Sequence, residues 1–101
     1  MVDPNFRPIE WLQAWYRSHC DGDWEHDRRI RIGTLDNPGW SLYVNLEGTS
    51  KAESVVPRRL IERSENDWVS VVVKDGHFEA HGGPENLSEM IRLFAELVED
   101  E

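Results

Sequence analysis

Hydrophobic and polar positions divide this chain into a helix, a run of strands and a second helix. Pro8 suits the first helical turn, where its missing N–H would have no partner anyway. After it, IEWLQAWYRSHC sets Ile9, Leu12 and Tyr16 on one apolar side, broadened by Trp11 and Trp15. This predicts a helix ending near Cys20, ahead of Asp21-Gly22. Over residues 28–35, RRIRIGTL, the period becomes two. Ile30 and Ile32 face one way and Arg29 and Arg31 the other, as in a half-buried strand with a basic outer face.

Asp36-Asn37-Pro38-Gly39 is a turn signal. Beyond it Trp40, Leu42, Val44 and Leu46 alternate with Ser41, Tyr43 and Asn45, a second strand that Glu47-Gly48-Thr49-Ser50 interrupts. A third extended segment spans 54–63, and Pro57 marks it as an edge or irregular strand. DWVSVVVK, 67–74, is rich in β-branched valine and reads as the most buried strand. Asp75-Gly76 is a two-residue hairpin turn into HFEAH, which puts Phe78 and Ala80 on one side and His77, Glu79 and His81 on the other. After Gly82-Gly83-Pro84, Asn86 and Glu89 resemble a capping box, and Leu87, Met90, Ile91, Phe94, Leu97 and Val98 follow helical spacing. The expected class is α+β. It is an antiparallel meander sheet of four or five strands, with the N-terminal and C-terminal helices packed on one face. Without repeats, low-complexity tracts or a long linker, residues 1–101 read as a single domain.

Composition narrows the function. A chain of 101 residues, 39% of them hydrophobic, can bury a core without metal or disulfide support. One cysteine forms no internal disulfide, in keeping with a reducing compartment. MVDPNFRPIE has neither a basic nor an apolar signal region, and no apolar run approaches the roughly 20 residues of a membrane span. A cytoplasmic location is expected. The net charge of −9 argues against nucleic acid or an anionic membrane as partner and favours something basic. Nothing in the pattern specifies an oligomeric state.

HCDGDWEHD, 19–27, concentrates ligand-type residues. A thiol enzyme using Cys20 with His26 is the catalytic alternative. Cys20, however, falls at a helix C-terminus and is followed by four carboxylates, both of which disfavour a thiolate. No arginine lies within 21–27 to complete an anion-binding loop. As a calcium loop counted from Asp21, the sixth position is His26 instead of glycine and the twelfth is Ile32 instead of glutamate. Cys20, His26, His77 and His81 have no zinc-type spacing. No metal and no cofactor are expected. What remains is recognition: Trp24 either anchors a partner within an acidic rim or folds back to close the core, while Trp40 and Trp68 head apolar strand patterns and belong to the core.

WLQAWYRSHCDGDWEH, IRIGTLDNPGWSLYVNLEGT and ENDWVSVVVKDGHFEAHGGPENLSEMIRLF, in that order, resemble the immunity protein 53 family of bacterial polymorphic toxin systems, from about Ile9 to Leu97. The resemblance implies a cytoplasmic antitoxin that binds and blocks one cognate toxin domain, with no catalytic residues. Members sometimes carry a sulfurtransferase-like label, which the missing arginine after Cys20 argues against. Under this resemblance the expected toxin-binding residues are Asp21, Asp23, Glu25 and Asp27, with Trp24 as anchor, set against a basic nuclease. A competing surface is the strand face bearing Arg29, Arg31, Arg58, Arg59 and Arg63. Specificity for one toxin is expected around residues 50–63 or on the outward sheet face.

Overall fold

The structure is a computed structural model that describes residues 5–99. Among these residues the order is α1 (Pro8–His19), α2 (Trp24–Asp27), β1 (Ile30–Leu35), β2 (Gly39–Asn45), β3 (Val56–Ser64), β4 (Asp67–Lys74), β5 (His77–Gly82) and α3 (Leu87–Glu99). The α+β class, the five antiparallel strands and the two terminal helices are as expected. The one-turn α2 was not legible, because its apolar content is a single tryptophan.

The strands do not follow one another as a plain meander. Their order is β1-β2-β5-β4-β3, all neighbours antiparallel. Two hairpin turns link β3, β4 and β5, and β5 returns to lie beside β2, which is a Greek-key connection. The reason lies at the end of β2. Leu46 is fully buried, and its N–H donates to the Gly76 carbonyl at 2.7 Å, so this end of β2 is tied to the β4–β5 turn. Residues 47–55 then carry the chain past that turn to the far edge. Asp75 and Gly76, with φ of 53° and 79°, make the primed turn that Asp-Gly favours.

Register sets the core face. Val44, Phe78 and Val73 form one cross-strand row, and Leu42, Ala80 and Val71 the next, all at least nine-tenths buried. Across this face lies α3, whose Met90, Ile91, Phe94 and Ala95 are fully buried. The Phe94 ring meets Phe78 at 5.1 Å and, on its other side, Trp11 at 5.7 Å and Trp15 at 4.9 Å of α1. Trp11 also donates its indole N–H to Glu99 at 2.8 Å. So α1 packs on α3 and reaches the core through Leu12.

Several apolar positions sit differently from expectation. Trp68 alternates with the buried Val69 and therefore faces away from the helices, half-buried. Ile9 and Tyr16 turn away from α3 and are 47% and 39% exposed. The apolar side of α1 is wider than the face α3 can cover, and that excess leads to the candidate site.

Candidate functional site

The loop from Cys20 to Asp27 is built by its own acids. Asp21 accepts N–H bonds from Asp23 and Trp24, both at 2.9 Å, while Glu25 accepts those of Asp21 at 3.0 Å and Gly22 at 2.9 Å. These bonds favour the ionised forms. The Trp24 N–H, then the Asp23 N–H, hold the Asp21 carboxyl below its ordinary range, and the backbone amides of Glu25 itself, Asp21 and Gly22 do the same for Glu25. Two of the four expected contact acids are thus engaged in shaping the loop. Asp23 and Asp27 remain exposed, Asp27 lying 3.9 Å from Arg28.

Trp24 lies inside the molecule, 6% exposed. Its indole N–H donates to the Glu47 carbonyl at 2.8 Å, and its ring packs on Trp15, Tyr16 and His19 at 5.4–6.0 Å. The ring is thus enclosed by side chains of the chain itself. Cys20 is exposed, and its thiol points at the Tyr16 carbonyl, 3.3 Å away. The neighbouring His19 is directed elsewhere, with Nδ1 at 3.0 Å from the Trp15 carbonyl. Among the described residues no group of three or more His, Cys, Asp or Glu is placed to hold a metal. Nor is any helix among them long and apolar enough to cross a membrane.

The five arginines do not form one cluster: Arg29 and Arg31 lie at the β1 edge of the sheet, and Arg58, Arg59 and Arg63 on β3 at the opposite edge. On β3, Arg58 donates to Ser70 at 2.9 Å. Arg59 is exposed on the same strand. Arg63 is held by Asp67, through bonds of 2.9 and 3.0 Å, and by Glu89 of α3. Asn86 joins that group by donating to Asp67 at 2.9 Å and to Glu89 at 3.0 Å, so it braces the start of α3 sideways rather than as a capping box. At the other edge Arg31 lays its guanidinium 4.9 Å from the centre of the Tyr43 ring.

Between α1 and β1 lies an open groove of about 640 Å³. Ile9 and Tyr16 line its helix side and Ile30 and Ile32 its strand side, with Ile32 42% exposed. Ile32 was expected inside, but α1 leans on α3 and stands away from the sheet edge. Glu25 and His26 border the groove where it meets the loop, and Arg28, Arg29 and Arg31 border it along the strand. The structure therefore brings part of the acidic loop and two of the five arginines to one place. Arg28, which no sequence pattern singled out, sits there with its Nε buried and unpaired among the described residues, 3.7 Å from Glu47 through another nitrogen. The signal for the groove was present in the sequence, as five large apolar residues in one twelve-residue helix.

On the uncovered sheet face Tyr43 stacks on His77 at 5.0 Å, and Glu79 sits between His77 at 3.5 Å and His81 at 3.8 Å. The site's elements are thus a groove, an exposed strand edge and an open sheet face, which suit contact with another macromolecule. The chain belongs to the immunity protein 53 family, whose model matches residues 9–99. An immunity role in general goes with that membership. No curated protein and no solved structure matches the chain.

Proposed function

We propose that this chain is an antitoxin that binds one cognate toxin domain of a polymorphic toxin system in the bacterial cytoplasm and neutralises it by occupying surface, without chemistry of its own. The observation that carries the reading is the family match over residues 9–99. Its support in the geometry is a cysteine directed at a main-chain carbonyl beside surfaces fit for docking. In this reading the toxin is a basic nuclease, drawn in by the net charge of −9 and approached by the exposed Asp23 and Asp27.

The test is Asp23→Lys with Asp27→Lys, because neither carboxylate supports the loop. Stopped-flow association with the toxin should slow by about tenfold at low salt and lose part of its salt dependence. An unchanged rate with the fold intact removes these two acids from the encounter.

A further inference from the structure

The groove beside α1 runs along a sheet edge whose backbone is ready for pairing. Asn45 donates its N–H to the Arg29 carbonyl at 3.0 Å, one step beyond the Ile30–Val44 pair that begins the β1–β2 register. In an antiparallel pair, hydrogen-bonded and non-bonded positions alternate. Arg31 and Gly33 therefore also bond β2, and the N–H and C=O groups of Ile30, Ile32 and Thr34 point away from it, outward from the edge.

We infer that the β1 edge and the α1–β1 groove receive an extended segment of the cognate toxin, added to the sheet as a further strand in which apolar and acidic residues alternate. This rests on the antitoxin reading and names the contact it uses.

Each half of the alternation has its counterpart on the edge. On the helix side, an added strand would direct every second side chain toward Ile9, Tyr16 and Ile32, apolar surface that the fold leaves exposed, and toward the partly buried Ile30. On the other side, it would meet Arg29 and Arg31, a local cationic pair in a chain of net charge −9. Opposite charges across neighbouring strands stabilise the pairing, and like charges oppose it. That same rule disfavours a second copy of this chain, whose own β1 would bring arginine beside arginine. The far edge is less suited, because β3 carries Pro57 and register shifts at 56–59 and 62–64, whereas β1 keeps an unbroken register from Ile30 to Leu35.

The experiment is amide hydrogen exchange on the full chain, with and without its purified cognate toxin domain, together with affinities of three variants. Ile32→Pro removes an outward N–H and no β1–β2 bond. Arg29→Glu with Arg31→Glu reverses the charge, and Ile9→Ser alters the groove at a half-exposed position. In the complex, exchange at Ile30, Ile32 and Thr34 should slow by about tenfold or more, and each variant should bind at least about tenfold more weakly. If Ile32→Pro does not fold, the arginine pair and Ile9→Ser decide. Tight binding of the wild type with these amides unprotected and the variants unaffected overturns the edge-strand contact and leaves the antitoxin reading standing. Absence of wild-type binding overturns that reading, and this contact with it. Protection that grows with the chain's own concentration, without toxin, assigns the edge to a second copy and also overturns the proposal.

Discussion

The indole N–H of Trp24 donates to the main-chain carbonyl of Glu47 at 2.8 Å, fastening the acidic loop to the chain that leaves β2. The ring is thus a structural pin. Trp24→Ala should cost about 3–5 kcal/mol in urea denaturation, as large-to-small changes at buried aromatics do. Trp24→Phe, which keeps an aromatic ring but strands the carbonyl, should cost about 1–3 kcal/mol. Wild-type stability in Trp24→Ala would mean the ring lies outside the fold.

Gly48 makes room for that pin. Its φ is +83°, and a Cβ there would meet Trp24 Cδ1 at 3.0 Å. Gly48→Ala should lose about 1–2 kcal/mol from left-handed backbone strain alone. Combined with Trp24→Ala, the loss should be less than the sum of the two, because one variant removes the atom the other collides with. Strict additivity in a double-mutant cycle would show the two sites to be independent.

Asn86 is 5% exposed and links Asp67 to Glu89 while the Trp68 N–H approaches its Oδ1 at 3.4 Å. Asn86→Leu removes all of these and should destabilise by about 1–3 kcal/mol. Asn86→Asp, which sets a third carboxylate between two others, should be worse. Thermal unfolding of the two variants side by side checks the order.

Acid should loosen the loop. The carboxyls of Asp21 and Glu25 are held below their ordinary range by backbone N–H groups in the folded chain. A carboxylate with a depressed folded pKa stabilises above its unfolded pKa, and that contribution fades as pH falls through the folded value. The stability gap between wild type and Asp21→Asn with Glu25→Gln should therefore be full near neutrality, shrink below about pH 4 and close at lower pH. A gap independent of pH would show that charge on these two groups is immaterial.

Much of this fold was legible because period and turn chemistry are local. Strand β4, Asp67–Lys74, matches its sequence reading at both ends, and His77, Glu79 and His81 share the uncovered face as alternation required. Strand order was not local. It depends on Leu46 docking beside the β4–β5 turn, which no pattern in residues 39–55 announces. Site residues were harder still. Asp21, Glu25 and Trp24 look like a partner's contacts in sequence, where nothing shows that the two carboxylates also accept N–H bonds of their own loop and that the Trp24 indole donates to Glu47. Arg31 and Arg58 look alike as outward cations, and only the sheet order puts them at opposite edges. The groove arises because α1 has more apolar surface than α3 can cover, a packing outcome that helix periodicity alone does not resolve.

The central claim, neutralisation by binding, is tested most directly by titrating the active toxin domain with this chain and with its Cys20→Ser variant, following toxin activity. The account predicts complete inhibition at one equivalent, identical for both proteins. Inhibition by a small fraction of an equivalent, or its loss in Cys20→Ser with the fold intact, would contradict it.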